Sequence, residues 1–278
     1  MTPTAFVQKI AKQYDRRFLS ADPVWFAHQY TDPREQEIVA FVSALLAFGN
    51  AKSILASVES ILKLWTREKG LVTEDQTLGH RWVRHEDIEL LFRVIKKILK
   101  SHGSIENFFL AGYKESDLDV GSALVSFSER IKRLATGIAS PSGLAMTRGT
   151  RGFSFLFPSP AGKSPCKRLN MFLRWMVRAE DGIDLGLWKN IPPSKLIVPL
   201  DTHLHQFAKR FKISRQKNPS WKMAVEITQF LKTLDPKDPV RFDFAICHYG
   251  MENGWNFRRR GALSKISSVN EKDRGVFV

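Results

Sequence analysis

The sequence predicts an all-α fold made of two lobes. Apolar residues recur at helical spacing along nearly the whole chain, and no stretch alternates long enough to indicate a β-sheet. The chain has 278 residues, of which 43% are hydrophobic, enough for one large domain or for two lobes that share a cleft. Glycine and proline recur through residues 137–166, the predicted crossing between lobes. We therefore expect one lobe from residues 1–34 plus 150–265, a second helical lobe from 35–149, and a flexible tail over 266–278.

Local signals predict each helix in chain order. The N-terminal stretch MTPTAFVQKIAKQYDRRF is amphipathic and lacks the continuous apolar run of a signal peptide, so we expect a first helix there. Asp32-Pro33 is a start signal for a second helix, and Phe48-Gly49-Asn50 separates it from a third over Ala51 to Trp65. Further helices are predicted over 86–105 with a stop at Gly103, over 122–136, from Lys167, from Thr202 to about Phe211, over Trp221–Leu234 and over about Arg241–Met251.

The charge of the chain points to an anionic partner. Lysine and arginine number 43 against 28 aspartates and glutamates, which leaves a formal net charge of +15. Such a surplus favours nucleic acid or an anionic membrane face, and the alternative is a solvated basic surface without a specific partner. No apolar run approaches the roughly 18–20 residues of a membrane span. The two cysteines, Cys166 and Cys247, are too few for a thiolate cluster and are expected to be reduced thiols of a cytosolic protein.

Two familiar patterns are excluded on closer reading. The tetrapeptide AGKS at 161–164 lacks the first glycine of a phosphate-binding loop, because that position is Phe157. His203 and His205 form an H-x-H pair, but on a helix their side chains point about 200° apart and do not converge on one metal. We therefore expect no metal and no cofactor.

The helix predicted from Lys167 has two different faces. On a helical wheel its apolar side chains gather on one side, and the polar side chains form a narrow stripe on the other. A basic stripe is a natural surface for contacts with phosphates, although any amphipathic helix also turns such a face to water. If the partner is DNA, we expect the contacting side chains to include Arg168, Asn170, Arg174, Arg178, His203 and His205.

Lys167 and Asp201 stand at the starts of two predicted helices. The positive end of the helix dipole and the neighbouring Arg168 both disfavour the ammonium form of Lys167, and a free amine is a nucleophile. A surface lysine at a helix end is the alternative. Asp201 precedes Thr202 and is a preferred N-cap, and the same hydrogen bonds favour an ionised carboxylate. A rigid carboxylate of this kind is suited to stabilise a developing positive charge.

The segment Pro199-Leu200-Asp201-Thr202-His203 resembles the Gly/Pro-x-Asp segment of the helix-hairpin-helix DNA glycosylase superfamily. FDFAICHYGM at 242–251 and EIVAFVSALLAFGNAKS resemble two further helical regions of that superfamily. The spacing of Lys167 and Asp201 is similar to that in the archaeal 8-oxoguanine glycosylase branch. The hairpin lysine is missing, since position 183 is Ile183, and so are the cluster cysteines, so no iron–sulfur cluster is implied. CKRLNMFLRWMVR with LIVPLDTH also resembles a bacterial family labelled as a domain of unknown function.

The resemblance implies a two-lobed, glycosylase-like fold that binds double-stranded DNA across a cleft and flips a damaged base, with 8-oxoguanine favoured. It implies Lys167 and Asp201 as catalytic residues, with cleavage of the DNA strand as a further possibility. Asp243 lies on one helix face with Cys247 and Gly250, which leave room for a base edge, and Trp175 is a candidate for stacking on the base. The alternative for Asp243 and Trp175 is a structural role in the core of the protein.

A rival interpretation is a non-catalytic DNA- or RNA-binding protein that retains the glycosylase fold. It explains the net charge equally well, because both hypotheses predict salt-dependent binding to nucleic acid. On the enzyme hypothesis we expect a cytoplasmic, nucleoid-associated monomer that does not bind membranes.

Overall fold

The computed structural model describes residues 1–68, 78–138 and 150–255. Over these ranges the chain is helical, and the β-type contact they contain is an isolated bridge between His80 and Val83. The predicted all-α class is confirmed. In chain order the α-helices of these ranges are α1 (Pro3–Ile10), α2 (Pro33–Leu46), α3 (Ala51–Glu68), α4 (His85–His102), α5 (Ile105–Leu110), α6 (Gly121–Thr136), α7 (Arg151–Leu156), α8 (Lys167–Val177), α9 (Thr202–Arg210), α10 (Trp221–Lys232) and α11 (Asp243–Asn253).

Short 3₁₀ helices connect several of these elements, at Arg16–Ala21, Pro23–Gln29, Pro160–Gly162, Pro193–Lys195 and Pro239–Phe242. Among the helices of the described ranges, we find none that combines the length and the apolar character needed to cross a membrane.

Most helix boundaries follow the predicted signals. The Asp32 carboxylate caps α2 and accepts hydrogen bonds from the backbone N–H groups of Arg34 at 2.7 Å and Glu35 at 3.1 Å. Gly103 ends α4 in the left-handed region, with a φ of 79°. The predicted crossing between lobes contains α7 and the 3₁₀ helix Pro160–Gly162 within residues 151–162, and its role as a crossing stays a prediction. Residues 139–149 of that crossing lie outside the described ranges, as does the predicted tail at 266–278.

Helices α2 and α8 occupy the centre of the molecule. Helix α2 contacts α8, α3 and the 3₁₀ helix Pro23–Gln29. On one side α4 packs against α5, α6 and α7, and on the other α11 packs against α1 and α9. One continuous cluster of buried apolar side chains runs from Phe6 to Trp255 and includes both central helices. The predicted lobe boundaries, and a cleft between two lobes, stay predictions.

A buried carboxylate joins α2 to its neighbours. Glu37 lies on α2 and is 5% exposed. It accepts hydrogen bonds from the backbone N–H groups of Ile105 at 3.0 Å and Glu106 at 2.8 Å, which are the first two of α5. It also accepts one from the indole N–H of Trp188 at 2.9 Å. Glu37 therefore caps α5 from a distant part of the chain and fixes the loop that follows α8.

Candidate active site

Lys167 is the first residue of α8 and its side chain reaches the end of α2. The residue before it, Cys166, has a φ of 49° and turns the chain sharply into the helix. The Lys167 side chain is half-buried, and its Nζ donates a hydrogen bond to the backbone carbonyl of Ala47 at 3.2 Å. Ala47 is the C-terminal cap of α2. The predicted nucleophile therefore lies at the contact between the two central helices.

Asp201 is the N-cap of α9, as predicted. Its Oδ1 accepts a hydrogen bond from the backbone N–H of Leu204 at 2.8 Å. Its Oδ2 accepts a hydrogen bond from the Cys247 thiol, with Sγ at 3.1 Å. One oxygen therefore holds the carboxylate on its helix, and the second joins it to α11. Both oxygens have fixed donors, so the orientation of this carboxylate is set by two elements of the fold.

Cys247 binds Asp201, and the charge of Lys167 acts on the same thiol. Burial raises the pKa of the Cys247 thiol well above its ordinary value, and the negative charges of Asp201 and Asp243 raise it further. The positive charge of Lys167 acts on the same thiol in the opposite direction. The amine and the carboxylate thus lie within electrostatic range of one sulfur atom, although no ion pair within 4.0 Å joins them.

The polar stripe of α8 is buried, so the predicted exposed surface for phosphates is wrong. Arg174 is 3% exposed and Arg178 is 8% exposed. Arg174 Nε donates to Asp184 at 3.0 Å, and its Nη1 donates to Asp243. Arg178 donates to Asp184 as well, and its Nε binds the carboxylate of Asp238 at 2.9 Å. These side chains form an internal ion network that ties α8 to the following loop and to α11.

The two remaining polar residues of the predicted α8 surface are also internal. Arg168 is 6% exposed, and its Nη1 donates to the carbonyl of Leu45 at 2.7 Å while its Nη2 donates to that of Phe155. Burial lowers its pKa to about 10. Asn170 is 1% exposed and its amide donates to the carbonyl of Pro165 at 3.1 Å. Because both side chains already serve backbone groups inside the protein, a contact with a phosphate would require the fold to open.

The residues predicted to read a base are engaged in the core. Trp175 is fully buried, so it offers no face for stacking. Asp243 is 5% exposed and pairs with Arg174. Burial raises the pKa of Asp243 to about 7, while Arg174 acts to lower it. The room expected beside Gly250 is filled, because a Cβ there would lie 2.6 Å from His203 Nδ1 and would also meet the Trp255 indole. The base-recognition hypothesis for Asp243 and Trp175 is therefore wrong in this arrangement.

The two histidines of α9 lie nearer the surface. His203 is half-buried against Gly250, and His205 is half-buried with Nε2 at 3.3 Å from the carbonyl of Lys217. Their contact with DNA stays a prediction.

Sequence reasoning did not foresee the role of Cys247 or of Asp184. The spacing of Asp243 and Cys247 on one helix face was a usable signal, because a thiol beside two carboxylates becomes a hydrogen-bond donor. Asp184 gave no signal, since it follows α8 in an irregular loop and its partners are set by how that loop folds back onto the helix. The carbonyl of Ala47 likewise becomes a partner of Lys167 only through the packing of α2 on α8.

These features define an all-α protein in which an aspartate at one helix start binds a half-buried thiol, and a lysine at another helix start exerts its charge on the same thiol. The chain belongs to a family described as a protein of unknown function (DUF2400), whose model matches residues 22–252. That span includes Lys167, Asp201 and Cys247. It agrees with the predicted resemblance to a family labelled as a domain of unknown function. Searches of the curated proteins and of the solved structures each found no match.

Proposed function

We propose that this protein is a DNA glycosylase of base-excision repair, with Lys167 and Asp201 as its catalytic pair. The observation that carries the proposal is that Asp201 is held by the Cys247 thiol, on which the positive charge of Lys167 also acts. An amine and a carboxylate are the two groups that a combined glycosylase and lyase requires, and both are half-buried here. The net charge of +15 supports an anionic substrate, and the Pro199–His203 segment supports this class of enzyme by resemblance.

In the proposed chemistry Lys167 is the nucleophile, and Asp201 both stabilises positive charge and accepts a proton. As the bond between C1′ and the base lengthens, the sugar gains positive charge, which the Asp201 carboxylate stabilises. The Lys167 amine forms a bond to C1′ and gives its proton to Asp201, and the base leaves with the bonding electron pair and takes up a proton. The nitrogen lone pair then expels O4′, which keeps the electrons of the broken C1′–O4′ bond and takes up a proton from solvent, and a protonated Schiff base forms between Lys167 and C1′. Loss of the C2′ proton and of the 3′ phosphate would cleave the strand.

The hydrogen bond from the Lys167 amine to the Ala47 carbonyl favours a second mechanism for the same function. In the structure the amine donates to a carbonyl at 3.2 Å, so it must leave this partner before it attacks C1′. If the amine stays there, Asp201 can instead activate a water molecule, which yields base excision without a covalent intermediate. The two versions differ in whether borohydride traps an adduct.

The substrate is proposed as double-stranded DNA with a damaged base, and 8-oxoguanine is favoured on resemblance to the archaeal branch. Because Asp243 and Trp175 are buried and engaged, neither is assigned to the base. The activity is therefore best sought with a panel of lesions.

The test combines base release with borohydride trapping on duplexes that carry different lesions. We expect a covalent adduct with the native protein and none with Lys167→Gln. We expect Asp201→Asn to bind DNA as before and to release the base about 10²–10³ times more slowly, since one electrostatic stabiliser of the transition state is lost. Lys163→Gln is the matched control, because Lys163 is an exposed lysine in the segment before α8.

Each other outcome has a defined meaning. Base release without an adduct supports the version in which Asp201 activates water. An unchanged rate in Asp201→Asn contradicts the glycosylase proposal. Salt-dependent binding without base release from any lesion favours the non-catalytic nucleic-acid-binding protein. Competition between duplex DNA and structured RNA at one salt concentration then identifies its ligand.

A further inference from the structure

Three aromatic rings form a partly exposed surface next to the candidate site. Phe48, Trp82 and Phe155 contact one another in all three pairs, with ring centroids 5.2 Å, 4.9 Å and 5.0 Å apart. Trp82 is 48% exposed and Phe155 is 36% exposed, so two large apolar side chains face solvent together. We call these three rings the aromatic platform. Phe48 directly follows Ala47, whose carbonyl binds Lys167, so the platform begins where the candidate nucleophile lies.

A histidine fixes Trp82 to Phe48. His80 and Val83 exchange two backbone hydrogen bonds, at 2.9 Å and 3.0 Å, and close a tight turn that carries Arg81 and Trp82. The ring of His80 donates from Nε2 to the carbonyl of Phe48 at 2.7 Å, which leaves Nδ1 to accept from the Ser57 hydroxyl at 3.0 Å. Burial lowers the pKa of His80, in agreement with this neutral form. The turn is therefore held in place before any ligand binds.

A buried carboxylate fixes Phe155 in the same way. Asp87 accepts hydrogen bonds from the backbone N–H groups of Arg84 at 2.8 Å and Phe153 at 2.9 Å. It thereby joins the start of α4 to α7, the helix that carries Phe155. The approach is close, since a Cβ at Gly152 would overlap the Asp87 carboxylate. Two internal anchors thus hold the rings from three separate parts of the chain in one rigid arrangement.

The surroundings of the platform are cationic. The Arg81 guanidinium is exposed and lies 4.8 Å from the centroid of the Trp82 ring. The guanidinium of Arg168 lies 4.2 Å from the Phe155 ring and 5.0 Å from the Phe48 ring. In the described part of the chain, no carboxylate lies within 4.0 Å of these guanidinium groups or of the Lys167 amine. Exposed rings beside cations that lack acidic partners are complementary to a ligand with flat apolar rings and negative charge.

We infer that the aromatic platform binds unpaired nucleobases of DNA, with the neighbouring phosphates drawn to Arg81 and Lys167. A strand of unpaired DNA offers ring faces for Trp82 and Phe155 and charge for the cations, whereas bases within a duplex stack on one another and hide their faces. An apolar protein segment would cover the rings but leave Arg81 and Lys167 without an acidic partner. The inference rests on the proposed function for its choice of DNA, and it narrows the substrate to DNA with locally opened or single-stranded bases.

The experiment separates stacking from charge by means of two probes with the same number of phosphates. One is a fluorescein-labelled oligothymidine strand, and the other is a labelled strand of abasic residues of equal length. Fluorescence anisotropy gives both dissociation constants at one salt concentration. We expect the native protein to bind the strand with bases more tightly than the abasic strand. We expect Trp82→Ala to weaken binding to the strand with bases about tenfold and to leave the dissociation constant of the abasic strand unchanged.

Trp25→Ala is the matched control, because Trp25 is 39% exposed and belongs to the 3₁₀ helix Pro23–Gln29 rather than to the platform. It should keep the native preference. Trp82→Phe should keep most of the preference because it retains a ring face, and Trp82→Leu should lose it although it preserves apolar volume. A thermal melt of each variant confirms that the fold persists.

The inference is overturned if the native protein binds both probes equally, if Trp82→Ala weakens both probes alike, or if Trp25→Ala has the same effect as Trp82→Ala. It is also overturned, in favour of RNA, if Trp82→Ala leaves binding to oligothymidine unchanged and weakens binding to a labelled oligouridine strand of equal length. Failure of the proposed function is distinguishable, because the assay involves no base excision. A protein that never forms a borohydride adduct can still prefer bases over abasic residues.

Discussion

The residue that connects the candidate site is Cys247, a thiol that acts as a hydrogen-bond donor. Its Sγ lies 3.1 Å from Asp201 Oδ2, and its pKa is raised by burial first and then by the carboxylates of Asp201 and Asp243. A thiol with a raised pKa stays protonated, so it keeps the hydrogen atom that it donates. Cys247 thereby positions the carboxylate on which the proposed reaction depends.

We expect Asp201→Asn to lower the pKa of Cys247, because the change removes both a negative charge and an anionic hydrogen-bond acceptor. The measurement is a pH titration of the Cβ resonance of ¹³C-labelled cysteine by NMR. A Cys166→Ser background leaves Cys247 as the single signal. Asp15→Asn is the control, since Asp15 is an exposed carboxylate paired with Arg17. If the pKa of Cys247 is the same in Asp201→Asn as in the native protein, the contact between Asp201 and the Cys247 thiol is contradicted.

At the scale of elements, α8 departs from the usual pattern of an amphipathic helix with one solvent-exposed face. Every residue from Arg168 to Val177 is buried. Its charged side chains are neutralised within the molecule, because Arg174 and Arg178 share Asp184 and reach on to Asp243 and Asp238. Such a network holds α8, the loop after it and α11 in fixed relation. Removal of one member alone lowers the free energy of unfolding strongly, because the remaining charges stay buried without a partner.

We expect Asp184→Ala to lower the free energy of unfolding by about 3–5 kcal/mol, since it leaves two buried guanidinium groups short of a partner. Asp15→Ala, which breaks the exposed pair with Arg17, should change it little. Urea denaturation followed by circular dichroism compares the two variants with the native protein. If the midpoint shifts are equal, the buried network is not a main determinant of the stability of this fold.

At the scale of the whole molecule, the fold places several carboxyl groups where ionisation is unfavourable. Burial raises the pKa of Glu37 on α2, Asp87 on α4, Asp184 after α8 and Asp243 on α11. The folded state therefore holds more protons than the unfolded state in weakly acidic solution. By linkage, these groups lower the free energy of unfolding as the pH rises. His80 acts in the opposite sense, because burial lowers the pKa of its imidazole. The contribution of His80 to the free energy of unfolding is therefore lost as the pH falls below the ordinary pKa of histidine.

Asp243→Asn isolates one of these contributions. The pKa of Asp243 rises from an ordinary 3.8 to about 7, so the native protein should lose stability through this group between those two values. Asparagine does not titrate. We therefore expect the native protein to lose more free energy of unfolding than Asp243→Asn when the pH is raised from 4 to 7. Urea titrations of both proteins across this range measure the difference. Parallel pH profiles would show that Asp243 titrates as it does in the unfolded chain.

The sequence by itself determined the all-α class and most helix boundaries, because start and stop signals such as Asp32-Pro33 and Gly103 act through backbone groups a few residues away. It determined the N-cap role of Asp201 for the same reason. The amphipathic pattern of α8 was also visible, but its meaning was not. Periodicity separates the faces of a helix, and it does not reveal whether another element covers the polar one.

Only the tertiary structure decided that the polar face of α8 is internal. The covering partners, Asp184 and Asp243, come from an irregular loop and from a helix near the other end of the described chain. The contact of Asp201 with Cys247, and the action of the Lys167 charge on this thiol, have the same origin, since each side chain belongs to a different helix. Local signals depend on neighbours in the chain, whereas the pairing of buried charges depends on which helices pack together. The packing of α2 on α8 and of α9 on α11, together with the ion pair from α8 to α11, therefore created the candidate site.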